Sequence, residues 1–123
     1  MNIRIYNIAS DVLIALDAEA FDAVSVAKFR PLMEEIPEQP RGDVYLDLRR
    51  VESMDSSAVG AIAYLFKRLA AKKRRLSLIG PTGQPRQLLQ YLRIDKVIDI
   101  RDDLPFPMVE DAFRHPVRSD AVV

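Results

Sequence analysis

The sequence predicts an α/β fold, in which a mixed β-sheet with a parallel core and added N-terminal strands is covered by about four helices, mainly on one face. Two observations lead to this fold class. After residue 43, short apolar runs typical of buried strands alternate with longer stretches of helical apolar spacing, which predicts right-handed parallel crossovers. Before residue 43, two strand-like runs are separated only by turn residues, so we expect them to pair and extend the sheet.

Length and composition fit one hydrophobic core and therefore one domain. The chain has 123 residues, of which 49% are apolar and 29% charged, the profile of a soluble globular domain. Its 18 basic residues balance its 18 acidic ones, which argues against a nucleic-acid binder. No apolar run is long enough to span a bilayer, no signal pattern opens the sequence, and cysteine is absent. We therefore expect a cytoplasmic protein without disulfides or membrane insertion.

Alternation and one compact apolar run predict the N-terminal strands. Asn2–Ile8 places Ile3 and Ile5 between polar neighbours, which is the period of a half-buried strand. Residues 12–16 are all apolar and suit a strand that is hydrogen-bonded to the first. We expect residues 19–21 to continue this second strand after a bend.

The first helix is predicted to begin at Asp22 and to bury one apolar stripe. Pro31 falls inside this segment, where a proline removes a hydrogen bond and crowds the preceding turn at a cost of about 3 kcal/mol. We therefore expect a kinked helix that is ended by Pro37 and Pro40. The stripe consists of Val26, Phe29, Leu32, Met33 and Ile36.

Strands and helices alternate through the rest of the chain. Strands are predicted at 43–49, 76–79 and 96–100, and helices at 59–73, 85–92 and 108–114. Pro85 suits the first turn of its helix because a proline loses no helical hydrogen bond there. Residues 115–123 are expected to be a frayed tail. The core stripe of the helix at 59–73 is predicted to be Val59, Ile62, Ala63, Phe66, Leu69 and Ala70.

The junction between the strand at 43–49 and the next helix contains Asp55, Ser56 and Ser57. These residue types cap helices, because a short side-chain oxygen accepts from the unpaired amides of the first turn. The same position leaves a hydroxyl at the positive end of the helix dipole, where an attached phosphate would meet backbone donors. The junction is therefore a cap or a switch, with Ser57 as the expected cap and Ser56 as the expected exposed hydroxyl.

Two charged clusters are interpreted as solvated ends of elements. The basic residues 72–75 lie at a predicted helix C-terminus, where the dipole stabilises cations, so we do not expect a nucleic-acid or membrane patch. Asp99, Asp102 and Asp103 lack a converging partner that would complete a metal site. The sequence predicts neither a metal nor a cofactor.

Two enzyme-like alternatives are disfavoured by the residues present. A serine hydrolase would need a base beside Ser56 or Ser57, but the only histidine, His115, lies in the tail, and no Gly-x-Ser-x-Gly turn is present. A phosphoaspartate receiver would need carboxylates at the end of the first strand, and there are none. We expect no enzymatic activity.

Residues 54–60 (MDSSAVG), followed by a long apolar helix, resemble the Asp-Ser-Ser/Thr-Gly-Leu/Val-Gly motif of STAS domains from bacterial anti-sigma factor antagonists. Four other segments resemble the family in the same order, namely 21–23, 45–49, 76–80 and 86–100. On this resemblance we expect a STAS domain over 1–114 and a C-terminal tail over 115–123.

The resemblance implies that this chain acts by partner switching. An unphosphorylated domain of this kind binds a serine-kinase anti-sigma factor and frees the sigma factor, the kinase then phosphorylates the domain, and a PP2C-type phosphatase restores it. The phosphorylated serine would be Ser56, with Ser57 as the second choice, and Asp55 and Asp22 would lie on the same partner surface. The protein is expected to act as a monomer.

Two residues depart from the family pattern. Ala58 lies within the expected partner surface where the family usually has glycine, and Glu19 stands where a glycine often precedes the Leu-Asp-Ala segment. Alanine is harmless at residue 58 if its dihedral angles are helical. The alternative within the same fold is a STAS module that is never phosphorylated, acting as a scaffold or as a subunit associated with a transporter ATPase.

Overall fold

The computed structural model describes residues 1–106, whose main feature is a five-stranded mixed sheet in the order β1-β2-β4-β6-β7. Strands β1 and β2 are antiparallel, and all other neighbours in this sheet are parallel. The predicted parallel core with added N-terminal strands is therefore confirmed. The strands are β1 (Asn2–Ile8), β2 (Asp11–Asp17), β4 (Val44–Asp47), β6 (Leu76–Ile79) and β7 (Asp99–Arg101).

A second sheet has only two short strands, β3 (Ala20–Phe21) and β5 (Ser53–Met54), which pair in parallel. The prediction that residues 19–21 continue the second strand was wrong in its pairing, because the chain bends at Glu19 and leaves the main sheet. Ala20 lies opposite Ser53, and Phe21 lies opposite Met54. Each strand runs directly into a helix cap, so this pairing brings two helix N-termini together.

Three α-helices are present among residues 1–106, namely α1 (Ala23–Glu35), α2 (Ser56–Ala71) and α3 (Gly83–Tyr91). Pro31 lies inside α1 with its ring exposed, and a 3-10 turn at Ile36–Glu38 follows the helix. A second 3-10 turn, at Ile94–Lys96, displaces the start of the last strand from the predicted residue 96 to Asp99. The helix predicted at 108–114 and the tail at 115–123 lie outside the described residues.

Helix α2 begins at Ser56, three residues earlier than the sequence predicted. Its buried face is also rotated relative to the prediction, since Leu65 is completely buried and Ala70 is exposed. Phe66 is half-buried and packs against the edge of the core. The buried residues of α2 are Ala58, Val59, Ala61, Ile62, Leu65 and Leu69.

The main core lies between the helices and one face of the sheet. Phe21 and Phe29 are both completely buried there and make an edge-to-face contact with ring centroids 5.6 Å apart, a favoured arrangement for aromatic rings. A smaller cluster on the opposite face contains Tyr45, whose ring contacts Phe106 edge to face at 5.4 Å. The helices therefore cover mainly one face, as predicted.

Arg74 contradicts the prediction that residues 72–75 are a solvated helix end. Only 9% of Arg74 is exposed, and its guanidinium donates to the carbonyl oxygens of Ile36, Pro37, Gln39 and Gly42 at 2.6–3.2 Å. The chain turns back after Lys73, a non-glycine residue with a φ of 58°. Arg74 consequently points into the loop that follows α1 and ties it to the body of the domain.

Candidate functional site

The candidate site lies where β5 meets the N-terminus of α2. Ser56 and Ser57 are the first two residues of this helix, and both are exposed. Their backbone amides and hydroxyls form no hydrogen bond to any acceptor within residues 1–106. Two donors at the positive end of the helix dipole are therefore open to solvent beside two accessible hydroxyls.

Asp55, rather than Ser57, is the N-cap of α2. Its Oδ1 accepts a hydrogen bond from the amide of Ala58 at 3.1 Å, and its backbone is extended, as a cap requires. The prediction that Ser57 is the cap was wrong, because the helix has already begun at Ser56 and places Ser57 at its second position. Both serine hydroxyls are consequently left out of the capping interaction.

Asp55 also reaches the neighbouring helix. Its Oδ2 accepts from the amide of Ala23, the first residue of α1, at 3.3 Å. The amide of Asp55 in turn donates to the carbonyl oxygen of Phe21 at 3.4 Å. One carboxylate thus receives amides from the first turns of both α1 and α2, and it holds the two helix N-termini side by side.

Asp22 caps α1 and lies beside this junction. Its Oδ1 accepts from the amide of Ser25 at 3.1 Å, and the Ser25 hydroxyl donates to the carbonyl oxygen of Ala20 at 2.9 Å. The hydrogen bond from the Ser25 amide is the main reason that the pKa of Asp22 lies below its ordinary value. The fold therefore places the two caps, Asp22 and Asp55, at adjoining helix starts.

Gln84, which the sequence reasoning missed, fixes the strand that leads into the site. Its Oε1 accepts from the amide of Met54 at 2.7 Å, and its Nε2 donates to the carbonyl oxygen of Met54 at 2.9 Å. The side-chain amide of Gln84 thus bonds to the backbone of Met54 as a neighbouring strand would, and it holds α3 against β5. A single exposed glutamine in the first turn of a helix gives no pattern from which this contact could be predicted.

The two departures from the family pattern have different structural outcomes. Ala58 has helical dihedral angles and is completely buried, so its side chain belongs to the core and cannot itself contact a partner. Glu19 does not have a positive φ, so no glycine is required there. Its carbonyl oxygen accepts from the amides of Glu52 and Ser53 at 2.7 and 3.0 Å, which guides the chain into β5.

The described part of the chain contains no group of three or more acidic or histidine side chains that could hold a metal ion. Asp99 forms an ion pair with Arg101, and Asp102 forms one with Arg86. No helix within residues 1–106 has the length and apolar character needed to cross a membrane.

The family of the chain follows from comparison with known proteins. The STAS domain model matches residues 2–112, so the chain belongs to the STAS domain family. A candidate anti-sigma factor antagonist from Thermotoga maritima is 24% identical over 106 residues, which are 85% of this chain and 94% of the relative.

Solved structures share the fold at lower identity. An anti-sigma factor antagonist (STAS) domain protein from Planctomyces limnophilus superposes with a TM-score of 0.75 at 21% identity, over 83% of this chain and 91% of that one. The unphosphorylated form of the anti-sigma factor antagonist SpoIIAA gives a TM-score of 0.67 at 21% identity, over 91% of this chain and 94% of that one. SpoIIAA of Bacillus has also been solved in a phosphorylated form. That structure gives a TM-score of 0.65 at 20% identity, over 91% of this chain and 96% of the other.

Proposed function

We propose that this protein is an anti-sigma factor antagonist that acts by partner switching in the cytoplasm. In the unphosphorylated state it binds a serine-kinase anti-sigma factor, and phosphorylation of Ser56 releases that partner. A PP2C-type phosphatase removes the phosphate and restores binding. In this role the chain is a substrate of its partner and not itself an enzyme.

One observation carries the proposal: the hydroxyl of Ser56 is exposed at the first position of α2, while the neighbouring Asp55 is occupied by two backbone amides. A kinase can therefore reach Ser56 without first breaking a cap. Ser57 is exposed as well and is the second choice. The relatives named as anti-sigma factor antagonists, one of which has been solved with and without phosphate, support the same role.

The charge of a phosphate explains how one modification could release a partner. Phosphoserine carries about −1.5 to −2 charges. The open amides of Ser56 and Ser57 offset part of this charge within the fold, while Asp55 repels it. A partner surface that had buried a neutral hydroxyl would instead have to accommodate an unpaired anion, which costs several kcal/mol.

An exposed apolar side chain beside the site supports a protein partner. Val24, two residues after the Asp22 cap, is 73% exposed. A large apolar side chain in this position loses contact with water when another protein covers it. The same partner would cover Asp22 and the serines, because all of them lie at the adjoining helix starts.

Co-purification from the source cell with tagged wild type, Ser56→Ala, Ser56→Glu and Ser57→Glu tests the proposal. We expect wild type and Ser56→Ala to retain a serine kinase and Ser56→Glu to lose it. Incubation of wild type with that kinase and ATP should add one phosphate to Ser56, as read by mass spectrometry. Equal retention by Ser56→Ala and Ser56→Glu, or no phosphate on either serine, would contradict the switch. Recovery of an ABC transporter ATPase instead of a kinase would favour the scaffold alternative.

A further inference from the structure

A groove between α1 and α2 begins beside the candidate phosphorylation site. Ser57 lies at one end of this groove and Tyr64 at the other, and the buried residues Val26, Met33 and Ala61 contribute to its apolar lining. Ser56 and Gly60 are four residues apart on α2, so they lie on the same side of the helix. A protein that covers Ser56 would therefore extend along α2 over this groove.

Gly60 lines the middle of the groove, and nothing in the fold requires a glycine there. It is exposed, does not have a positive φ, and a Cβ atom at this position would meet no atom within 4 Å. Gly80 differs, since its φ is +64° and a Cβ there would collide with the side chain of Arg49. A glycine inside a helix lowers stability by about 1 kcal/mol relative to alanine, so Gly60 weakens α2 without any benefit to internal packing.

One acidic and one basic side chain line the groove, and only the acidic one is in an ion pair within residues 1–106. At the far end, Glu34 accepts a hydrogen bond from the hydroxyl of Tyr64 at 2.7 Å and forms an ion pair with Arg68, so its charge is already compensated. Arg30 lines the α1 side of the groove, is exposed, and forms no ion pair with any of residues 1–106. A groove with apolar residues at its floor and an exposed cation that is in no ion pair suits an apolar side chain that has a carboxylate beside it.

We propose that this groove is the docking surface for the kinase partner, and that Gly60 leaves open the space that the partner fills. An apolar side chain of the kinase enters the groove over the bare backbone of Gly60, and a neighbouring carboxylate pairs with Arg30. This inference rests on the proposed function, because it names how the same partner extends from Ser56. It adds a contact that does not depend on phosphate.

Gly60→Ala tests the proposal, because the added methyl group fits the fold but protrudes into the groove. We expect Gly60→Ala to unfold at a higher temperature than wild type and yet to bind the purified kinase about tenfold more weakly in calorimetry. Ala71→Ser, which adds one atom at an exposed position near the end of α2, should bind like wild type. A Gly60→Ala protein that is less stable than wild type would overturn the premise that the fold leaves this position open.

A second pair of variants tests the charge. Arg30→Ala should weaken binding and reduce its dependence on salt, whereas Lys28→Ala, an exposed basic residue of α1 outside the groove, should do neither. If Gly60→Ala and Arg30→Ala bind like wild type while Ser56→Glu releases the kinase, the groove proposal is wrong and the switch stands. If both weaken binding but Ser56→Glu does not, docking stands and the switch is wrong. Self-association of the free wild type that Gly60→Ala abolishes, seen by sedimentation, would assign the groove to a second copy instead.

Discussion

The Oδ2 atom of Asp55 accepts a hydrogen bond from the amide of Ala23 at 3.3 Å, and this bond between residues 32 apart in the sequence joins the starts of two helices. The other oxygen of the same carboxylate caps α2 through Ala58. Because one side chain serves both helices, Asp55 is a structural residue of the site, and the serines beside it remain available to other molecules.

Replacement of Asp55 by alanine should destabilise the fold by about 1–2 kcal/mol, since a cap is lost and two amides lose their acceptor. Ser57→Ala should change the free energy of unfolding by less than about 0.5 kcal/mol, because this side chain is exposed and caps nothing. Urea denaturation monitored by circular dichroism measures both. A larger effect at Ser57 than at Asp55 would mean that the cap is assigned to the wrong residue.

Gln84→Ala should lower the free energy of unfolding by about 1–3 kcal/mol, because the partly buried amide of Met54 loses the acceptor that Gln84 supplies. Hydrogen exchange at the Met54 amide should also become faster. Gln87→Ala, at an exposed position on the same helix, is the matched control and should leave both measurements unchanged. Unchanged exchange in Gln84→Ala would contradict the bidentate contact.

Ala58→Gly restores the glycine of the family pattern and should destabilise this chain by roughly 1–2 kcal/mol. The cost combines lower helix propensity with the loss of a completely buried methyl group. Ala70→Gly, at an exposed position of the same helix, measures only the cost of lower helix propensity, because no buried methyl group is lost there. Kinase affinity should stay within about twofold of wild type, because the side chain cannot reach a partner. A large change in affinity, measured by calorimetry, would show that the backbone at Ala58 takes part in binding.

Glu34 should make stability depend on pH. A hydrogen bond from Tyr64 and then the contacts with Arg68 hold the pKa of Glu34 below its ordinary value of 4.5. The folded state therefore binds fewer protons than the unfolded state, so the stabilisation is present above about pH 4.5 and is lost as the pH falls through the folded pKa. The melting temperature of wild type should exceed that of Glu34→Gln near neutral pH, and this difference should shrink below about pH 4.5.

A matched substitution separates this interaction from general loss of negative charge. Glu52→Gln removes an exposed carboxylate whose side chain forms no hydrogen bond or ion pair within residues 1–106. Its melting temperature should follow that of wild type across the pH range. Because the Glu34 network lies at the surface, added salt should also reduce the wild-type advantage. If the melting temperature of wild type still exceeds that of Glu34→Gln by the same amount at low pH, the assignment of this pH dependence to Glu34 is wrong.

The five strands of the main sheet and their order along the chain could be predicted from the sequence, because each depends on local patterns. Asn2–Ile8 alternates along its length, and Leu76–Ile79 is a short, mainly apolar run that follows a basic segment and ends before Gly80 and Pro81. Ser56 could be identified as an exposed hydroxyl because its residue type and position follow a recognisable motif. These features need no knowledge of distant contacts.

The pairing of β3 with β5 and the role of Gln84 could not be predicted in the same way. Each depends on a hydrogen bond between residues far apart in the sequence, such as the bond from Gln84 to Met54. The burial of Arg74 is a similar case, because a basic run normally lies in solvent and only the returning loop supplies carbonyl acceptors. Long-range bonds of this kind leave no periodic pattern.

If the proposed phosphorylation of Ser56 occurs, the contact of the Gln84 side chain with Met54 bears on how fast the protein responds to it. The backbone before Ser56 is held by the Gln84 side chain at Met54 and by the Asp55 carboxylate that bonds to Ala23. It therefore has little freedom to rearrange when a phosphoryl group is added. Rearrangement of this backbone would then not slow the response to phosphorylation. The lifetimes of the phosphorylated and unphosphorylated states would then be set by how often the phosphatase and the kinase act on the protein.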